Sequence, residues 1–86
     1  MKYICEVCGY PYLIEPPYDK NGNGSYIICP CCGFEFGYDD YPDKEKSIID
    51  WRNNWIENGY TWFSRKQVPP VNWNPQKQLI NLNTVK

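Results

Sequence analysis

Two copies of the phrase Cys-x-x-Cys-Gly-aromatic begin at Cys5 and at Cys29. Cysteines two residues apart place both sulfur atoms on the inside of a tight turn, and two such turns can face each other around one ion. The glycine after each second cysteine suits a turn that folds its N–H groups toward sulfur, because such a turn usually needs positive φ. The repeat therefore predicts one metal ion held by four thiolates, those of Cys5, Cys8, Cys29 and Cys32. We call residues 5–10 the first knuckle and residues 29–34 the second knuckle.

The nature of the ion follows from the ligand set. Structural zinc has all four tetrahedral positions filled by protein, whereas catalytic zinc keeps one position for water or substrate. The chain has no histidine and no obvious carboxylate ligand to compete with the four thiolates. We therefore expect a structural Zn²⁺ ion and no enzymatic activity.

Cys31 is the fifth cysteine, and it is left over because it aligns with Val7 of the first repeat. One interpretation is a small side chain packed inside or beside the turn, which is common for thiols. The other is a redox-active or metal-relay thiol whose pKa is lowered by the neighbouring metal. The packing interpretation is favoured, and the reactive one stays open.

Length and charge limit the classes of function. A chain of 86 residues is near the size at which a hydrophobic core alone gives little stability, so a metal staple is expected. The formal charge is −1, which argues against nucleic acid as the main partner. The sequence contains no apolar run long enough for a signal peptide or a membrane span, so we expect a cytosolic protein with no membrane partner.

Short extended runs are predicted to carry the knuckles. Residues 2–4 and 26–28 are apolar runs leading into the two turns, and residues 34–36 alternate apolar and polar, as strands of a small antiparallel ribbon would. The run Asn-Gly-Asn-Gly at residues 21–24 indicates a loop and excludes a helix between the knuckles.

The second half of the chain predicts one long helix and an extended tail. Residues 43–58 have helical periodicity, with acidic residues at the start and Gly59 in the place of a C-terminal cap. Ile48, Trp51 and Trp55 share the face that we expect to be buried. A proline-rich segment follows, and Asn74 before a proline predicts a short helix over residues 75–82.

Together these elements predict the fold class and the organisation of the chain. We expect a single α+β domain over residues 1–86, in which a small zinc ribbon of two knuckles and short antiparallel strands occupies residues 1–37. The tryptophan-rich helix and the proline-rich C-terminal segment, residues 38–82, pack on the ribbon. Residues 83–86 form a frayed tail.

Aromatic residues exceed what a bare metal ribbon requires, with four Trp, eight Tyr and three Phe. Trp62, Phe63 and Trp73 lie outside the predicted helices and are candidates for exposed anchors at a protein interface. Simple packing remains slightly favoured for these three residues. A protein partner is nevertheless the kind of partner that the composition favours.

Two resemblances cover parts of the sequence. Residues 2–12 (KYICEVCGYPY) and 29–33 (CPCCG) resemble the two metal turns of a rubredoxin, which implies iron at the four sulfurs and transfer of single electrons. Residues 28–34 (ICPCCGF), followed by an acidic stretch and a tryptophan-bearing helix, are similar to small bacterial cysteine-rich proteins of the CPCC type. That resemblance implies zinc binding and an immunity or accessory role near toxins, with no catalytic residue.

The sequence thus favours one function and leaves two alternatives. The favoured hypothesis is a zinc-binding module for protein interaction, in which the four-cysteine site is structural. The first alternative is a rubredoxin-like electron carrier with iron, and a zinc ribbon that binds nucleic acid ranks last.

Overall fold

Backbone turns make up most of the first half of the structure. The computed structural model describes residues 2–84. Within that range no strand forms, and the extended backbone makes isolated antiparallel bridges, Tyr3↔Leu13, Tyr18↔Gly24 and Ile28↔Glu35. The predicted α+β class, with its zinc ribbon of short antiparallel strands, is therefore wrong.

A proline stops the pairing before the first knuckle. Tyr3 and Leu13 exchange two N–H···O bonds, of 2.9 and 3.0 Å, as one rung of a ladder. In that register Pro11 would lie opposite Cys5, and proline has no N–H to donate. The N–H of Cys5 instead donates to the carbonyl of Tyr10 at 2.8 Å, one residue out of register. The pairing therefore ends after one rung.

A bulge stops the pairing at the second knuckle. Phe36 donates to the carbonyl of Ile27 at 3.1 Å, in the same register as the bridge between Ile28 and Glu35. Tyr26 has a positive φ of 65°, and its N–H donates to the carbonyl of Phe36 at 2.8 Å. Two residues thus oppose Phe36, as in a β-bulge. The predicted strands over 26–28 and 34–36 are reduced to one bridge for this reason.

The long helix is where the sequence places it. Helix α1 spans Lys44–Glu57. Asp43 is the N-cap, and its carboxylate accepts the N–H of Lys46 at 3.1 Å. At the other end Gly59 adopts φ +89°, the left-handed conformation typical of a residue just past a helix. The predicted helix over residues 43–58 is confirmed to within one residue at each end, and Gly59 lies at the predicted C-terminal end; the N-cap role of Asp43 is seen only in the structure.

The apolar face of α1 packs on the aromatic residues next to the second knuckle. Ile48 and Trp55 are buried, and Trp51 is partly buried against the same core. The rings of Trp51 and Phe34 meet edge to face, with centroids 5.3 Å apart, and Phe34 meets Phe36 at 4.9 Å. The predicted buried face is therefore correct, and aromatic contacts join the helix to the cysteine-bearing turns.

The C-terminal segment contains a second, shorter helix. Helix α2 spans Pro75–Gln78, with Asn74 as N-cap, and continues as a 3₁₀ helix over Leu79–Thr84. The helix predicted for residues 75–82 is thus present, with its second half wound as 3₁₀. Of the tail predicted to fray, residues 85–86 lie outside the described residues, and Asn83 lies within the 3₁₀ helix. No helix between residues 2 and 84 is long and apolar enough to cross a membrane.

The N-cap of α1 gives a direct test of this local chemistry. We expect Asp43→Ala to lower the free energy of unfolding by about 1 kcal/mol, because the N–H of Lys46 loses its acceptor. Glu57→Ala, which removes an acidic residue from the other end of the same helix, should leave stability unchanged or slightly raised. Urea denaturation followed by circular dichroism measures both values. Equal losses in the two variants would contradict the capping role of Asp43.

Candidate metal centre

The two knuckles repeat the same backbone hydrogen bonds. The N–H of the knuckle glycine donates to the carbonyl of the first cysteine, at 2.9 Å in the first knuckle and 2.8 Å in the second. The N–H of that cysteine donates to the carbonyl of the aromatic residue, at 2.8 and 3.0 Å respectively. Gly9 and Gly33 have φ of 85° and 83°. The repeated phrase therefore encodes one turn, used twice.

The knuckles face each other and bring four sulfur atoms together. The Sγ atoms of Cys5 and Cys32 are 3.8 Å apart, and those of Cys8 and Cys29 are 3.7 Å apart. All four Sγ atoms lie within 4.8 Å of one another. In a tetrahedral site, metal–sulfur bonds of about 2.3 Å place the sulfurs about 3.8 Å apart. The four cysteines are thus positioned to bind one metal ion.

The sulfur pairs are not covalent bonds. A disulfide would need an S–S distance of about 2.05 Å, and every cysteine of the chain is a free thiol. The first cysteine of each knuckle lies beside the second cysteine of the other, at nearly equal distances. The two knuckles therefore contribute equivalently to the sulfur group.

Burial and mutual hydrogen bonding shift the pKa values of the clustered thiols in different directions. Burial raises the pKa of Cys8 and Cys32, whose thiols also donate to neighbouring sulfurs. Burial opposes a charge on Cys29 as well, but hydrogen bonds from Cys32, Cys5 and Cys8 outweigh it and lower the pKa of Cys29. A cation at the centre of the cluster would favour the thiolate at all four positions.

Solvent has almost no access to this centre. Cys5, Cys8 and Cys29 are fully buried, and Cys32 is 7% exposed. Four sulfurs complete a tetrahedral coordination shell and leave no position for a substrate or water. The arrangement is that of a closed site.

Helix α1 covers one side of both knuckles through two consecutive residues. The indole N–H of Trp51 donates to the carbonyl of Cys32 at 2.9 Å. The guanidinium of Arg52 donates to the carbonyls of Val7, at 2.6 Å, and Glu6, at 2.8 Å. One turn of helix thus satisfies carbonyls of both knuckles. Arg52 also places a positive charge beside a centre that carries negative charge when its thiols ionise.

The C-terminal segment covers the first knuckle. The side-chain amide of Gln78 donates to the carbonyl of Cys8 at 3.0 Å and is itself buried. Asn81 donates through Nδ2 to the carbonyl of Gly9 at 2.9 Å. A Cβ atom on Gly9 would overlap the main-chain carbonyl of Gln78. Glycine is therefore required there for close packing as well as for its positive φ.

The segment after α1 covers the second knuckle. Phe63 donates its N–H to the carbonyl of Cys31 at 3.0 Å, and Ser64 donates to the carbonyl of Pro30 at 2.8 Å. The ring of Phe63 lies against Gly33, where an added Cβ would meet Cδ1 at 2.6 Å. Phe63 and Ser64 therefore pack on the second knuckle.

Cys31 lies beside the four-sulfur group without belonging to it. Its side chain is fully buried, and its Sγ accepts a hydrogen bond from Nε2 of Gln78 at 3.4 Å. Val7, at the equivalent position of the first knuckle, is also fully buried. Both positions therefore fill the core behind their turns.

The three predicted interface residues divide into two groups. Trp62 and Trp73 are half-buried and meet edge to face, with centroids 5.3 Å apart, and Trp62 also packs on Tyr10 at 5.7 Å. Phe63 is 56% exposed. The structure thus places Trp62 and Trp73 largely in the packing and leaves Phe63 at the surface. Their role at an interface stays a prediction.

Sequence reasoning missed the polar residues that hold the knuckles. Arg52 had a usable signal, since it follows Ile48 by four residues and therefore shares the buried face of α1, where a charged residue needs a partner. Gln78 and Asn81 had none, because their contacts depend on the path of a proline-rich segment. These residues act on the site through long-range hydrogen bonds.

Comparisons with known proteins give two relatives. The chain is 35% identical over 81 residues to the Bacillus subtilis (strain 168) protein YozI, with 78% of this chain and 67% of YozI covered. It is 34% identical over 80 residues to YoaQ of the same strain, covering 78% of this chain and 68% of YoaQ. Both are described as uncharacterized proteins. No family model matches the chain, and no solved structure matches it.

Two glycines with the same backbone conformation allow the cost of backbone strain to be measured separately from the cost of a steric overlap. Gly9 and Gly22 both have φ +85°, but a Cβ on Gly22 would meet nothing within 4 Å. We expect Gly22→Ala to cost about 1–2 kcal/mol from its left-handed backbone alone. Gly9→Ala should cost about 2 kcal/mol more, because the methyl group displaces Gln78. Urea denaturation measures the difference, and equal losses would show that Gln78 does not pack on Gly9.

The guanidinium of Arg52 provides a second test. We expect Arg52→Ala to lower the free energy of unfolding by about 2 kcal/mol, since two knuckle carbonyls lose a charged donor. Arg52→Lys should recover only part of that loss, because an ammonium group lacks the forked donor geometry. Asn53→Ala, at an exposed neighbouring position, is the matched control in the same denaturation experiment. A lysine variant as stable as the wild type would contradict the forked contact.

Proposed function

This chain belongs to the same family as the Bacillus subtilis proteins YozI and YoaQ, and we propose that it is a zinc protein whose ion is structural and whose surface binds another protein. The observation that carries the metal proposal is the group of four buried sulfurs within 4.8 Å of one another. The proposal includes no catalytic step, because four sulfurs leave no open position on a tetrahedral ion.

A structural role is supported by what the knuckles connect. Helix α1 donates hydrogen bonds to both knuckles, and the C-terminal segment donates to the first. An ion bound to the four sulfurs would fix the two knuckles relative to each other, and through them these two distant segments. A chain of 86 residues without a sheet in its described part gains more from such a link than a large domain does.

Zinc is the proposed ion, with iron as the competing one. Four thiolates suit both metals, and both accept a tetrahedral geometry. Zinc needs no redox partner, and it is common in sites that are closed and serve folding. Five free thiols also suit a reducing compartment, and we therefore place the protein in the cytosol as part of the proposal.

Protein rather than nucleic acid is the proposed partner. The net charge of −1 opposes general attraction to phosphates. Phe63 is a large apolar side chain that stays exposed although its backbone is held by the second knuckle. Exposed aromatic residues on a fixed backbone are typical anchors of protein interfaces.

Elemental analysis of the protein isolated from its native cells tests the choice of metal. We expect one zinc per chain and no visible absorption, because d¹⁰ zinc has no electronic transitions in that range. Removal of the ion by a strong chelator should unfold the protein, as circular dichroism would report. Iron with a visible spectrum would replace the proposal by its electron-carrier alternative. A metal-depleted protein that keeps its fold would contradict a structural ion.

Serine substitutions test the ligand set in the same preparation. Replacing Cys5, Cys8, Cys29 or Cys32 by serine should lower the metal content well below one per chain. Cys31→Ser is the matched control, since it changes a buried cysteine next to the cluster and should leave the stoichiometry at one. Loss of metal in Cys31→Ser alone would mean that the ligands are wrongly assigned.

A further inference from the structure

Phe63 is an exposed apolar side chain on a rigid support. Its ring is 56% exposed, while its N–H is bonded to Cys31 and one ring edge lies against Gly33. Both contacts belong to the second knuckle, which the metal centre would hold in place. The side chain therefore loses little conformational freedom when a partner covers it, which is how a preorganised anchor gains affinity.

Two grooves meet at this residue. The groove on one side has a volume of about 710 Å³ and is lined by apolar residues, including Ile28, Pro30 and Trp62, and by the loop 64–67. The groove on the other side, of about 620 Å³, is lined by Trp51, Trp55 and the side chains of Asn54 and Asn58. Thr61 and Phe63 line both grooves. We call the combined depression the Phe63 trough.

The chain separates its charges along the sequence. All ten Asp and Glu residues lie within residues 1–57. Residues 58–86 contain no acidic residue and four basic ones, Arg65, Lys66, Lys77 and Lys86. Arg65 and Lys66 line the trough and are exposed. Among residues 2–84, the ion pair found joins Lys46 to Asp50, which both lie in the part of the sequence that contains the acidic residues. Within residues 2–84, neither Arg65 nor Lys66 forms an ion pair.

We propose that the Phe63 trough binds an extended segment of a partner protein in which an apolar side chain is flanked by Asp or Glu. The inference rests on the proposed protein-binding function and names the site and the chemistry of the partner. The apolar side chain packs beside Phe63, on the surface formed with Ile28 and Trp62. The flanking carboxylates pair with Arg65 and Lys66, and the amides of Asn54 and Asn58 face the segment from the second groove.

The trough fits a peptide better than a nucleic acid. Its lining is mostly apolar, and only two of its residues are basic. Binding to a nucleic-acid backbone is driven by clustered Lys and Arg that release its counterions, and two basic residues supply little of that free energy. The indole N–H groups of Trp55 and Trp62 are already bonded to the chain's own carbonyls, those of Thr61 and Gln67. What the surface offers is apolar area beside a small patch of positive charge, which an acidic peptide with one apolar residue complements.

Selection from a display library of random peptides, with the zinc-loaded protein as bait, tests this inference. We expect the enriched peptides to carry an apolar or aromatic residue next to Asp or Glu. Fluorescence anisotropy of one enriched peptide then gives Kd. Phe63→Ala should raise Kd about tenfold or more, and the double variant Arg65→Glu, Lys66→Glu should do the same. The double variant lies on the surface, so it remains informative if Phe63→Ala unfolds.

Matched controls carry the same changes elsewhere on the surface. Tyr41→Ala removes another exposed aromatic ring, and Lys20→Glu reverses another exposed charge. Neither should change Kd by more than about twofold, since contacts outside the binding site contribute little. Metal content measured for every variant shows whether the four-cysteine centre is intact.

Each other outcome overturns the inference. Enrichment of peptides without acidic residues, or binding that the trough variants leave unchanged, places recognition elsewhere while the proposed function stands. If sedimentation shows that the wild type is a dimer and that the double variant is not, the trough binds a second copy of this chain. Tighter binding of a single-stranded oligonucleotide than of any peptide assigns it to nucleic acid. An elemental analysis that finds no zinc counts separately, against the proposed function.

Discussion

The convergence of four buried sulfur atoms is the constraint on which the rest of the structure depends. Thiolates this close repel one another strongly in a medium of low dielectric, so the arrangement needs either shared protons or a cation. The two turns meet this constraint with a repeated set of backbone hydrogen bonds. Helix α1 and the C-terminal segment then donate hydrogen bonds to knuckle carbonyls that point away from the turns. The position of the sulfurs thus determines the turns, and the turns determine where the surrounding elements pack.

Tryptophan side chains supply hydrogen-bond donors that neighbouring strands would supply in a sheet. In a sheet, backbone carbonyls find N–H partners on neighbouring strands, but residues 2–84 form no sheet, and several of their carbonyls accept hydrogen bonds from side chains instead. A tryptophan fills core volume and also carries an N–H donor. Each of the four indoles donates to an oxygen, three to main-chain carbonyls and one to a side-chain amide: Trp51, Trp55, Trp62 and Trp73. The four tryptophans therefore contribute both packing and hydrogen bonding.

Local chemistry could be predicted from the sequence, and long-range pairing could not. The cysteine turns and the limits of α1 follow from residues within a few positions of each other, such as Asp43 and Gly59. The strands failed because of single residues, Pro11 without an N–H and Tyr26 with its positive φ, and only the first of these is visible in the sequence. The part played by Gln78 depends on a contact between residues seventy positions apart. No local pattern records such a contact.

The crossed sulfur pairs also impose an order of events on the nascent polypeptide. All four cysteines lie before residue 33 and leave the ribosome first, whereas the residues that enclose them follow later: Trp51, Arg52, Phe63, Gln78 and Asn81. During translation the sulfurs are therefore complete before they are enclosed. A metal ion bound by these sulfurs would enter most easily in that interval, and the later segments would enclose it once they fold over the knuckles.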